Sequence, residues 1–312
     1  MNLVRDRLDM PLRWRKPRKI FVNAQSDLFH DSVPDEYIAQ VFAVMALARH
    51  HTFQVLTKRH ARMRSLLSSQ EFLDSVEFEC ESFDCAADWV SDAQDRVLAW
   101  PLPNVWLGVS TENQQWANIR IPALLDTPAA VRFISAEPLL GHIDLARTSS
   151  PPFWCLGHGR PAGHCPNDLH LPRDWGVDWV IVGGESGPGA RPMHPNWAAS
   201  LRDQCQIAGV PFLFKQWGQW SPIGDRSSRH VVMTDDGSIY APGDLPWPDG
   251  PRRGEAQRAD FPHHHPMFLY RTGNRAAGRE LDGRSWDQYP VMHRASPDRN
   301  ATTHIPHLSQ HL

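Results

Sequence analysis

No stretch of this sequence approaches the roughly 18 continuous apolar residues that a membrane-spanning helix needs, so nothing in it reads as a membrane span. The opening MNLVRDRLDM is charged and lacks the apolar centre of a secretory signal. Cysteine is scarce: Cys80, Cys85, Cys155, Cys165 and Cys205 make an odd set with no framework spacing. A disulfide-stapled secreted scaffold is thereby excluded, and free thiols in the cytoplasm are expected. Charge of one sign is also lacking. A net charge of −3 argues against broad attraction to a phosphate backbone, so a nucleic-acid partner is not supported. The run Arg13 to Lys19 (RWRKPRK) is the local exception, and its ordinary reading is a solvated loop before a strand. No Ser-His-Asp order and no two-metal cluster is legible, which leaves a hydrolytic barrel without support.

What is present is a globular composition, 41% hydrophobic and 21% charged over 312 residues, enough for one large domain or two ordinary ones. Short apolar runs alternate with helical patterns. The runs are Lys19–Val22, Thr52–Leu56, Val105–Val109, Val131–Ile134, Trp179–Val182 and Val210–Phe214. Tyr37, Ile38, Val41, Phe42, Met45 and Ala48 fall at helical spacing behind Pro34. A further helix around residues 61–67 returns the chain after the second strand, and one near 113–125 is expected to be interrupted at Pro122. Trp197, Leu201, Cys205 and Ala208 share one helix face that ends at Gly209. Six strand-then-helix units in a row predict an α/β fold, a parallel sheet covered by helices, as in a (β/α) barrel or an open relative of it.

Residues 1–220 are assigned to this incomplete barrel, with excursions near 75–103 and 149–174. The first is acidic and reads as a partly helical, solvated insertion. Residues 221–290 read as a hairpin, turning at Asp235-Asp236-Gly237, and an irregular extension. Residues 291–312, heavy in His, Ser, Pro and Asn, are expected to be disordered.

Every strand ends in polar residues. Asn23 and Asp27 follow the first, Lys58 the second, Ser110 and Glu112 the third, and Glu137 the fourth. Gly183, Gly184, Glu185 and Ser186 follow the fifth, and Lys215 and Gln216 the sixth. In barrels the reacting groups come from the carboxyl ends of several strands, so these twelve residues are the candidate cofactor- or substrate-binding set. The lysines offer positive charge to a carboxylate or phosphate; the glutamates offer acid–base chemistry or a partner for an amine. Asp27 and Glu137 also have plain readings as loop-shaping residues. The glycines of GGESG allow a left-handed backbone or a close approach. No metal site is expected. Cys155, His158, His164 and Cys165 come nearest to one, but adjacent His164 and Cys165 are awkward partners in a tetrahedron.

Longer motifs then recur in order: RWRKPRKIFVNAQSDLFHDSVPD, FQVLTKR, NVWLGVSTEN, VRFISAEPLLG, WVIVGGESGPGARPMHPNW, LRDQCQIAGVPFLFKQWG and AAGRELDGRSWDQYP. Over about residues 12–290 the sequence closely resembles the phage "gene product 37 / gene product 68" domain family, also described as a three-cysteine-motif family. The resemblance implies a partial barrel like that of radical S-adenosylmethionine enzymes, in a phage or prophage setting, with no established reaction. For full-length relatives it implies an iron–sulfur cluster held by three thiolates near the amino terminus, and S-adenosylmethionine as cofactor. This sequence starts at Met1, short of the segment that carries those cysteines, and no three of its five lie close together. The first barrel strand would be missing with that segment. The expectation is therefore a start at an internal methionine or a truncated copy, holding no cofactor and catalytically inert alone. The competing expectation is a non-catalytic binding module that acts on a phage protein, one encoded nearby, or on nucleic acid.

Overall fold

The computed structural model describes residues 3–145, 176–225, 227–240 and 266–290. A 3-10 turn (Arg5–Arg7) and a short helix, α1 (Met10–Arg13), precede strand β1 (Lys19–Val22). The chain then runs through α2 (Asp35–Leu47), β2 (Thr52–Thr57), α3 (His60–Leu67), α4 (Gln70–Glu79) and α5 (Ala87–Leu98). Next come β3 (Val105–Ser110), α6 (Gln114–Leu125), β4 (Val131–Ala136), β5 (Trp179–Gly183), α7 (Pro195–Ala208) and β6 (Phe212–Gln216). The strands pair in sequential order, all parallel, as a curled sheet that makes a half-barrel. Each step of a parallel sheet needs a crossover, and helices supply it after β1, β2, β3 and β5; between β4 and β5 the described residues contain no helix.

Alternation along the strands sorts the apolar side chains onto two faces. Phe53, Val55, Leu107, Val109, Ile134, Val180, Val182, Phe212 and Phe214 face the helices and join the main core. Trp106, Val131, Phe133, Trp179, Ile181 and Leu213 form a separate cluster on the concave face. That cluster fills the half-barrel as side chains fill a closed one. Gly108 makes room for it: a Cβ there would lie 2.4 Å from the Phe133 ring.

Helix boundaries follow local chemistry. Pro34 stands at the N-cap of α2, and Pro195 opens α7 with the His194 ring accepting the Asn196 N–H. Gly209 closes α7 at φ +70°, the left-handed C-cap expected of it. Two expectations are corrected. The segment near 75–103 is partly helical as expected but not simply solvated: α4 and α5 pack against α2, burying Phe72, Val76, Cys80, Ala93 and Val97. Its acids line the outer side of helices whose apolar residues recur every four positions, a spacing that the acidic composition masks. Nor does Pro122 interrupt α6, which runs on to Leu125. Buried Ala123, Leu124 and Leu125 anchor the last turn, and the Pro122 carbonyl still accepts the Asp126 N–H.

Beyond β6, strands β7 (Trp220–Ser221), β8 (His230–Met233), β9 (Ile239–Tyr240) and β10 (Met267–Arg271) form an antiparallel sheet in the order β7-β10-β8-β9. The expected hairpin is β8–β9. Helix α8 (Asn274–Ala277) and the pair β11 (Glu280–Leu281) and β12 (Arg284–Ser285) follow. The chain then returns to the half-barrel, which composition alone did not foretell. Phe214 N–H donates to Trp286 O at 2.9 Å and Gln288 N–H to Phe212 O at 3.2 Å, so residues 286–288 lie along the free edge of β6. Tyr289 turns under the concave face, its ring 5.0 Å from that of Trp179 and 3.7 Å from Lys19 Nζ on β1. One tyrosine thus bridges the two sides of the half-barrel at the amino ends of its strands. The 149–174 excursion, with the Cys155, His158, His164 and Cys165 set, and the 291–312 tail lie outside the described residues.

Candidate functional site

With the lower concave face filled, side-chain chemistry concentrates at the opposite rim, above the carboxyl ends of the strands. Stepping two residues on from Phe133, Ile181 and Leu213, and four on from Trp106, brings Ser135, Gly183, Lys215 and Ser110 onto the same face. Above this layer stand three carboxylates, each held by a cation.

Glu112 is the most buried of the three, its side chain 9% exposed. Its Oε1 lies 2.5 Å from Lys58 Nζ at the end of β2, and its Oε2 accepts from the Arg120 guanidinium at 2.8 Å. The same guanidinium nitrogen donates to Ser110 O at 2.8 Å, and its plane stacks 4.1 Å from the Trp116 ring. Burial alone would raise the Glu112 carboxyl. The Lys58 hydrogen bond, its own backbone amide and the two positive charges outweigh that and hold it below the ordinary value. Arg120 is itself buried, and its Nε has no hydrogen-bond partner.

Glu137, after β4, accepts from Lys215 Nζ at 3.0 Å and from Gln216 Nε2 at 3.4 Å. Gln216 Nε2 also donates to the Ser186 hydroxyl at 3.1 Å, so β4, β5 and β6 are tied side chain to side chain at the rim. Glu185 takes both arms of the Arg191 guanidinium, at 2.8 and 2.9 Å, and also the Arg191 backbone N–H at 2.8 Å. Those bonds hold its carboxyl below the usual range. Arg191 also feels the charge of Glu112, which places the β3 and β5 rims within electrostatic reach of each other.

The glycines serve close approach. A Cβ on Gly183 would lie 3.0 Å from Glu137 Oε1, and one on Gly184 would lie 1.9 Å from Trp217 O. Neither has a positive φ; in this stretch only Gly187 does, at +105°.

The rim therefore brings together Lys58, Ser110, Glu112, Glu137, Gly183, Gly184, Glu185, Ser186, Lys215 and Gln216. Asn23 and Asp27 have other tasks. Asn23 turns the chain at φ +56°, a conformation asparagine tolerates, and its carbonyl accepts the Ser26 N–H. Asp27 clamps the loop after β1 to the end of β2. Its Oδ1 accepts from the Thr57 hydroxyl at 2.6 Å and the Phe29 N–H at 3.0 Å, and its Oδ2 from the Lys58 N–H at 2.9 Å. Asp27 thereby fixes the backbone from which Lys58 projects. Two rim cations escaped the sequence reading, Arg120 and Arg191. Their signal was faint: an arginine in the second turn of α6 after Glu112, and another six residues past Glu185.

The described cysteines do not fit an iron–sulfur cluster. Cys80 and Cys205 are buried among the helices, where burial pushes the Cys80 thiol up to about 12 and raises the Cys205 thiol as well. No group of three or more His, Cys, Asp or Glu residues suited to a metal ion occurs among the described residues.

The family model described as a protein of unknown function, DUF5131, matches residues 1–290. The chain belongs to that family. The match runs over the whole half-barrel, both small sheets and the returning segment at 286–289, so the rim residues and Tyr289 all lie inside the family's extent. No curated protein and no solved structure matches the chain significantly. Among the described residues no helix is long and apolar enough to cross a membrane.

Proposed function

We propose that the rim of the half-barrel binds a small zwitterionic ligand bearing an α-amino carboxylate, of the class of S-adenosylmethionine. The observation that carries this reading is the row of charge pairs Lys58–Glu112, Lys215–Glu137 and Arg191–Glu185 along adjacent strand ends. Lys58 and Lys215 are about half exposed, at 49% and 56%, whereas their glutamate partners lie deeper. A zwitterion exchanges partners with such pairs at little electrostatic cost: its carboxylate takes the lysines and its ammonium the glutamates. Gly183, with no side chain, admits the Glu137 carboxylate against the end of β5 and so keeps that acid at the rim. This agrees with a radical-S-adenosylmethionine-like half-barrel in a phage or prophage setting. S-adenosylmethionine, where a cluster reduces it, supplies radical chemistry. No described residue fits that cluster, so the function assigned to these residues is binding and orientation.

Isothermal titration with S-adenosylmethionine and S-adenosylhomocysteine tests the reading. Binding is expected for both, weakened about tenfold or more by Lys215→Met, which removes a charge-assisted bond. Absence of heat from either ligand at millimolar concentration overturns it. The nucleic-acid alternative finds less support. In the basic run Arg13 pairs with Asp9, Arg18 lies over the Trp14 ring and Lys19 over Tyr289.

A further inference from the structure

A second concavity lies away from the rim, around the free edge of β1. The amino-terminal segment, β1 and α2 enclose a cavity of about 590 Å³, within the 300–1,000 Å³ range of small-molecule sites. Its body is apolar: Trp14, Phe21, Val41 and Val44 stand among its walls. Phe21 is 42% exposed on an edge strand that has β2 as its one partner among the described residues. Among the described residues no carboxylate lines the cavity; Arg7 lines it and makes no ion pair. Tyr37, whose ring is half-buried, lines it too and feels the charge of Arg5, so both arginines of the 3-10 turn lie on this side.

We propose that this cavity is a binding site for an amphipathic carboxylate, with the apolar body between β1 and α2 and the carboxylate at Arg7 and the Tyr37 hydroxyl. A buried apolar chain supplies the driving force, and the uncompensated positive charge selects the anion over a cation of equal length. The proposal does not depend on the rim: the two sites share no lysine and no glutamate.

Calorimetric titration of the full chain with decanoate and with decyltrimethylammonium tests it. Decanoate is expected to bind at least fivefold more tightly than the cation. Arg7→Gln, at an exposed position, is expected to weaken decanoate about two- to fivefold, the span of a solvent-exposed ion pair, and to bind the cation at least as tightly as before. Val41→Trp fills the cavity and is expected to abolish decanoate binding; circular dichroism and a thermal melt establish that this variant folds. The proposal is overturned by equal affinity for the two amphiphiles, by no decanoate binding, or by a folded Val41→Trp that binds as the unaltered chain does. S-adenosylhomocysteine binding at the rim, measured in the same samples, keeps a failure here separate from a failure there.

Discussion

Gly108→Ala is the sharpest test of the filled concave face. The new methyl would stand 2.4, 2.5 and 2.6 Å from three atoms of the Phe133 ring, well inside contact distance. Phe133 is fully buried, and its ring lies 5.7 Å from that of Trp179, which in turn meets Trp106 at 5.8 Å and Tyr289 at 5.0 Å. The ring has no free direction to move, so the strain passes through the stack. Overpacking of this kind costs about 1–3 kcal/mol. In a chain of this size each kcal/mol lowers Tm by roughly 2–4 °C, so a fall of about 2–12 °C is expected by differential scanning calorimetry. Gly189→Ala is the control, because a Cβ there meets nothing within 4 Å and its φ is not positive. Its Tm is expected to be unchanged or slightly raised. Gly108→Ala/Phe133→Leu is expected to recover part of the loss. Equal melting of Gly108→Ala and Gly189→Ala would refute the packing argument.

Two further predictions concern buried charge. Glu112→Gln leaves Arg120 buried with a neutral partner, an expected loss of roughly 3 kcal/mol by urea unfolding at pH 7. The Glu112 carboxyl is held below its ordinary value of 4.5, so its stabilisation is complete above that pH and is lost as pH falls further. The acid limb of the urea midpoint should therefore be shallower in Glu112→Gln. His51 titrates in a higher window. Its Nδ1 accepts the Arg18 N–H at 3.1 Å and its Nε2 lies 3.0 Å from Pro11 O, a pattern that only the neutral ring satisfies. Burial, then the neighbouring His50, lowers its value from 6.5. The unfolded chain therefore takes up the proton first, and stability is expected to decline as pH falls below 6.5. His51→Gln should flatten the slope between pH 6.5 and 5.

The half-barrel was legible in the sequence because each buried strand is a short apolar run closed by a polar residue, as in WVIVGGES. The rim was legible for the same reason, since strand ends in such a sheet share one edge. Composition misled where local acidity hid helical spacing, as at Phe72, Val76 and Cys80. It was silent where a contact spans the chain. Nothing near Tyr289 says that it will lie under Lys19, about 270 residues away, because that contact depends on the curl of the whole sheet. Asp27 was ambiguous for a related reason: a loop acid and a clamp on the next strand look alike until Thr57 and the Lys58 amide are in place.

The chain has four lysines, Lys16, Lys19, Lys58 and Lys215, and only the last two stand at the rim. Acetylation rates of each, followed by mass spectrometry with and without saturating S-adenosylhomocysteine, test the binding claim most directly. The account predicts that the ligand slows Lys58 and Lys215 at least fivefold and leaves Lys16 and Lys19 unchanged. Protection of neither rim lysine, or equal protection of all four, would contradict it.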